Sequence, residues 1–262
     1  VLTSREKVRR MLKGKKLDGI IVDFGGMPSD GISAVAYNRL VRQLGLPERK
    51  IRVYDVFQQL AYPDLDVVER MHGDFILAHR LRMRFGISCR QWKDGFLTDG
   101  TPCLVHSELN PVINENGSRD ILVEGQPYAR MPAGGYYYDI IRHPLAECTE
   151  TDDLESYTAD CFAADEVNFI VEEVEQLYKS TDKSIVFAFG GSVFEQGQRD
   201  FGFEDFYCNL LLNQELMHTY FQKLTDAYLD SLSRVLPGIH GKADVIHFFD
   251  DLGTQTGLQI AP

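Results

Sequence analysis

Near the end of the chain, in HFFDDLGTQTGLQIAP, an apolar run delivers two adjacent carboxylates, Asp250 and Asp251, into a Gly/Thr/Gln loop. Carboxylates set at the end of a strand can orient a substrate or take its proton, and Gln255 stands within the same loop to hydrogen-bond it. The pattern recurs. IIVDFGG ends at Asp23, KIRVYDV ends at Asp55 with Gln58 and Gln59 just beyond, and DKSIVFAFGG ends at Gly190 and Gly191. Asp250 and Asp251 are therefore the catalytic candidates. Asp23, Asp55, Gln58, Gln59, Gly190, Gly191 and Gln255 are the candidates for substrate binding, the two glycines because a ligand can approach their backbone closely. Each aspartate has a structural alternative, since Asp also caps helices and holds tight loops. His79, His106 and His143 read as surface or structural residues, and the three tyrosines of YYYD (Tyr136 to Asp139) suit a ligand wall or strand packing equally well.

These residues need strands and helices to position them. TSREKVRRMLKGK carries a capping pattern followed by apolar residues at Val8, Met11 and Leu12, which predicts an amphipathic first helix ending near Gly14. A short strand is expected over Ile20 to Val22, a helix over ISAVAYNRLVRQLGL, and a strand in KIRVYDV. A helix-like PDLDVVERMHG then leads to the apolar DFILA. Helix is expected again from Asp153 to Lys179. Strand follows from Ile185 to Phe189, then two helices broken near Asn213, and a last strand in ADVIHFFDDLG. Short apolar strands alternating with helices predict parallel βαβ units, whose ligands gather at the carboxyl edge. Between about Trp92 and Tyr138, turn signals at Asp99-Gly100, Asn116-Gly117 and Gly134-Gly135 separate β-rich runs, and predict an inserted antiparallel meander.

Composition narrows the function classes. With 262 residues, 44% of them hydrophobic, the chain can build one substantial core. A formal net charge of -12 opposes binding to nucleic acid or to an anionic membrane, and no apolar run reaches membrane-spanning length. A cytoplasmic protein is expected. The five cysteines, Cys89, Cys103, Cys148, Cys161 and Cys208, have neither disulfide-framework nor zinc-site spacing.

Four blocks in order, IIVDFGGMPSDGISAVAYNRL, IRVYDVFQQLAYPD, ARMPAGGYYYD and FFDDLGTQTGLQIAP, resemble the uroporphyrinogen decarboxylase-like superfamily, in particular its corrinoid-dependent methyltransferase branch. The resemblance runs over nearly the whole chain. It implies a TIM (β/α)8 barrel of the uroporphyrinogen decarboxylase type, one domain over 1–262 with the β-rich insertion at about 92–138. In relatives the DDLGTQ block is followed by further βα units, so the barrel is expected to be incomplete at its C-terminus and the chain to be an N-terminal portion. An open barrel edge would favour a homo-oligomer.

The resemblance further implies methyl transfer between a small donor or acceptor and a corrinoid, held as methylcobalamin or on a corrinoid protein. Zinc serves this branch through a His-x-Cys motif and a later Cys; no His-x-Cys occurs here, and the metal ligands remain unknown. Uroporphyrinogen decarboxylase itself is the alternative, a lyase without a cofactor that holds a polycarboxylate through N-terminal arginines. VDFGGMPSDG, in the corresponding place, has none. A non-catalytic binding protein on a degenerate barrel is the third reading.

Overall fold

The computed structural model describes residues 2–260. Helix α1 (Ser4–Leu12) opens with the expected reciprocal cap: Thr3 Oγ1 accepts the Glu6 N–H at 3.2 Å, and Glu6 Oε2 accepts the Thr3 N–H at 2.8 Å. Helix α2 (Ala34–Gln43), strands β1 (Ile51–Asp55) and β2 (Leu60–Ala61), helix α3 (Leu65–Arg70) and strand β3 (Phe75–Ala78) follow. A β-rich segment then holds β4 (Trp92–Phe96), β5 (Pro102–His106), β6 (Val112–Ile113), β7 (Arg119–Val123), β8 (Gln126–Met131) and β9 (Asp139–Ile140). The remainder runs α4 (Ala164–Ser180), β10 (Ser184–Gly190), α5 (Phe194–Phe201), α6 (Phe203–Leu212), α7 (Gln214–Ile239) and β11 (Val245–Phe248).

These strands form three small sheets, β2-β1-β5-β4, β11-β10-β3 and β6-β7-β8-β9. The parallel sheet β11-β10-β3 is the centre, with Val186 of β10 opposite both Leu77 and Val245. Side chains alternate across a strand, so β10 buries Ile185 and Phe187 on one face and Val186 on the other. Ile185 and Phe187 pack with Ile170 and Val174 of α4 and with Val235 and Ile239 of α7. Val186 packs with Val8 of α1 and with Phe75. Covering on both faces is what a parallel sheet requires. Full burial of side chains such as Ile185 and Phe187 contributes about 1.5–3 kcal/mol each.

The expected TIM barrel is not what the chain builds. Closure needs eight parallel strands, each hydrogen-bonded to two neighbours. Among the described residues only β3, β10 and β11 share a parallel sheet, β1 pairs in parallel with β5 alone, and the third sheet is antiparallel throughout. Local readings need correction as well. Ile20 to Val22 is irregular, tied to the body where Asp74 N–H donates to the Val22 carbonyl at 2.7 Å and Asp74 Oδ2 accepts the Val22 N–H. The β-rich segment is not one meander: the β4–β5 hairpin extends the β1 sheet, and only β6 to β9 form a sheet of their own. The helix expected from Asp153 begins at Ala164, and α5 was not foreseen. The break at Asn213 stands where expected, between α6 and α7.

Candidate functional site

At the carboxyl ends of β1, β3 and β10 lies a cavity of about 380 Å³. Asp55, Gln58, Gly190 and Gly191, four of the sequence candidates, line it. Asp55 is 8% exposed, and its carboxylate turns back on its own loop. It accepts the N–H groups of Phe57 at 2.8 Å and Gln58 at 3.0 Å, and the Gln58 side-chain amide at 3.4 Å. That Asx turn brings Gln58 to the cavity wall. Gly190 and Gly191 both have positive φ, and a Cβ on Gly191 would stand 2.6 Å from the Phe189 ring. The chain turns there so tightly over an aromatic wall that only glycine fits.

The other candidates lie elsewhere. Gln59, at φ 55°, donates its amide to the Val56 carbonyl at 2.6 Å and does not line the cavity. Asp23 Oδ1 accepts the Gly26 N–H at 2.8 Å, and among the described residues its buried Oδ2 has no hydrogen-bond partner. Burial, with Asp30 nearby, pushes this carboxyl up to about 7. Asp250 caps α5: Oδ2 accepts the N–H of Val193 and Phe194, each at 2.8 Å, and Oδ1 that of Glu195 at 2.7 Å. Asp251 is exposed, and its carboxylate accepts the Gly253 N–H at 3.3 Å. Gln255 is exposed in the loop beyond. Neither Asp250, Asp251 nor Gln255 borders the cavity. His247, beside the two aspartates, contacts Ser29 Oγ through Nε2 at 3.3 Å; burial lowers its pKa.

The cavity also gathers residues that sequence reasoning missed. Four arginines line it: Arg80, Arg82, Arg84 and Arg199. Arg80 pairs with Asp160 at 2.8 Å and with buried Glu166 at 3.1 Å, while Arg82 pairs with Asp165 at 2.5 Å and Glu166 at 3.3 Å. Arg199 pairs with Glu195 and donates to Ser192 Oγ at 3.1 Å. Arg84 lies 4.8 Å over the Phe57 ring, and burial pushes its guanidinium down to about 10. A usable signal was the alternation in HRLRMR, since residues two apart fall on one side of an extended chain.

His79, the first residue after β3, also lines the cavity. Its Nδ1 stands 2.8 Å from the Arg80 carbonyl oxygen, which can only accept, so Nδ1 carries the proton and Nε2 is left as the acceptor of the neutral ring. Tyr62 meets the His79 ring edge-on at 5.6 Å and Phe169 lies against it, which fixes its plane. Gln196 is oriented from behind: its amide donates at 2.9 Å to Asp200, a carboxylate that also accepts Tyr157 at 2.6 Å and Tyr220 at 2.8 Å. Aromatic side chains complete the wall, among them Phe85, Tyr128, Phe189 and Phe249. The site thus offers guanidinium and amide donors, an imidazole acceptor, two carboxylates already engaged and aromatic walls.

Among the described residues no group of three or more His, Cys, Asp or Glu is placed to hold a metal ion. Nor, among the described residues, is any helix long and apolar enough to cross a membrane. No protein-family model, curated protein or solved structure matches the chain.

Proposed function

We propose that the chain holds a small organic molecule in the strand-end cavity for methyl transfer involving a corrinoid, the chemistry implied by the resemblance to the corrinoid-dependent branch of the uroporphyrinogen decarboxylase-like superfamily. The observation that carries this reading over tetrapyrrole decarboxylation is the cavity itself: about 380 Å³, aromatic-walled, with three of its four arginines already paired to carboxylates. Sites of ~300–1,000 Å³ take drug-sized ligands, and this one is at the lower end. A polycarboxylate tetrapyrrole needs more room and more free cations.

A corrinoid macrocycle is likewise too large to be enclosed, so the lining residues fit its small methyl-bearing partner rather than the corrinoid. Their contributions follow from their chemistry. Aromatic walls hold the molecule and keep water out, and Gln58 and Gln196 fix its orientation; positioning of this kind supplies much of the catalysis when two reactants must align. A methyl acceptor has to lose a proton and a departing heteroatom has to gain one. His79 lines the cavity and keeps Nε2 as an acceptor, which makes it our candidate for exchanging it.

The test is an ultraviolet-visible assay of the folded chain with methylcobalamin, using coenzyme M and tetrahydrofolate as acceptors. Protein-dependent loss of methylcobalamin, reduced about tenfold or more in His79→Gln without a change in melting, is the expected result. No conversion with either acceptor would favour binding without turnover.

A further inference from the structure

Of the four cavity arginines, Arg84 alone is without a partner. Among the described residues its guanidinium makes neither a hydrogen bond nor an ion pair, and the faces of Phe57 and the cavity are its surroundings. Arg84 is half-buried, and its planar group of five N–H donors is left to the cavity, where an entering acceptor can take the place of water. A second unused group borders the same space. Tyr54 is 2% exposed, and among the described residues its buried hydroxyl has no hydrogen-bond partner. Two carboxylates line the cavity and both are engaged: Asp55 is turned to its own loop and accepts three hydrogen bonds, and Asp160 pairs with Arg80.

The segment that carries Arg84 is strained. Phe85, the next residue, sits at φ 65°, a left-handed conformation that a large side chain adopts at a cost. That turn sets its ring in the cavity wall, where it meets Tyr128 edge-on at 5.9 Å. Phe162 and Phe189, 5.2 Å apart, form another stretch of wall. The unpaired cation thus borders the same cavity as these aromatic side chains.

We infer that the cavity recognises a small, flat organic anion, its acidic head group held by the Arg84 fork with the Tyr54 hydroxyl beside it and its ring or conjugated body between the aromatic walls. This names the ligand class for the site and rests on the reading of the cavity as the substrate site. A guanidinium fork matches carboxylate and phosphoryl oxygens alike, so the head group is either. The remaining arginines act as a paired frame that keeps competing carboxylates away from Arg84.

The experiment is calorimetric titration of the chain with benzoate, phenylphosphonate, benzamide and acetate. Trp92 fluorescence is a second readout, because this single tryptophan packs against the buried cluster that contains Tyr54. Saturable binding of benzoate or phenylphosphonate is expected, the tighter of the two identifying the head group. Arg84→Gln should weaken it about tenfold or more and Tyr54→Phe a few-fold, while Arg84→Lys, which keeps the charge without the fork, should fall between parent and Gln. Benzamide as tight as benzoate, acetate as tight as benzoate, or an unchanged affinity in a folded Arg84→Gln would each overturn the inference. Binding is measured without turnover. A chain that binds benzoate through Arg84 yet leaves methylcobalamin intact therefore keeps the ligand class and loses the reaction, and the opposite pair of results does the reverse.

Discussion

The Asp250 carboxylate accepts the backbone N–H of Phe194 at 2.8 Å, closing the amino end of α5 from 56 positions away in the chain. Together with Val193 and Glu195, three N–H groups that have no partner inside the helix are satisfied by one side chain. A carboxylate at the positive end of the helix dipole is favourable as well.

Asp250→Ala is expected to lower stability by about 1–2 kcal/mol in urea denaturation, and Asp250→Asn by less, because an amide oxygen still accepts. Since α5 carries Gln196 and Arg199 to the cavity, the Ala variant should also weaken benzoate binding. An Ala variant as stable as the parent would mean that solvent serves these N–H groups equally well.

Glu166 is the second residue whose removal separates packing from chemistry. It is 2% exposed and accepts Arg80 Nε, Arg82 Nη1 and the Arg82 backbone N–H. Glu166→Gln leaves Arg80 enclosed with one carboxylate partner instead of two, and breaking a buried pair from one side costs about 3 kcal/mol. Urea melts of Glu166→Gln, Arg80→Met and the double variant form the cycle that checks it. A strongly non-additive double variant is expected, and simple additivity would show that the two side chains do not share an interaction.

Much that is local was legible in the sequence. The Thr3 and Glu6 cap, the strand ending at Asp55, the glycines at the end of β10 and the break at Asn213 are written in residues a few positions apart. Pairing between distant strands was not. β5 lies parallel to β1, with Ile51 opposite Cys103, although its own turn signals suit a separate meander equally well. Strand register is decided by which apolar faces meet in three dimensions. The three apolar residues Ile20 to Val22 lack the ladder that would make them a strand, and a short apolar run cannot announce that. The site divides the same way. Asp55 and Gln58 are where the strand-end rule puts them, whereas the freedom of Arg84 depends on Asp160, Asp165, Glu166 and Glu195 having been claimed by other arginines.

Asp23 predicts a pH dependence. Its carboxyl is raised to about 7 from an ordinary value of 3.8, first by burial and then by Asp30. The folded chain therefore holds this proton more tightly than the unfolded chain. Its contribution to stability is full below the ordinary carboxylate range and is lost as pH rises towards about 7. Asp23→Asn cannot ionise and should flatten that part of the stability profile, measured by urea denaturation across the window. A profile of the same slope in both proteins would place the titration elsewhere.

Gly191 tests whether the cavity wall and the backbone turn can be told apart. Both Gly191 and Gly45 have left-handed backbone, at φ 65° and φ 67°, but a Cβ on Gly45 meets nothing within 4 Å whereas one on Gly191 meets the Phe189 ring at 2.6 Å. Alanine at either position incurs the same conformational cost of about 1–2 kcal/mol. Only Gly191→Ala must also displace Phe189, which lines the cavity and packs against Phe248 at 5.1 Å. Gly191→Ala should therefore be less stable than Gly45→Ala in urea, and should alone lose benzoate affinity. Equal stability in the two variants would mean that the Phe189 ring moves freely, and a wall that moves freely could not select a flat ligand.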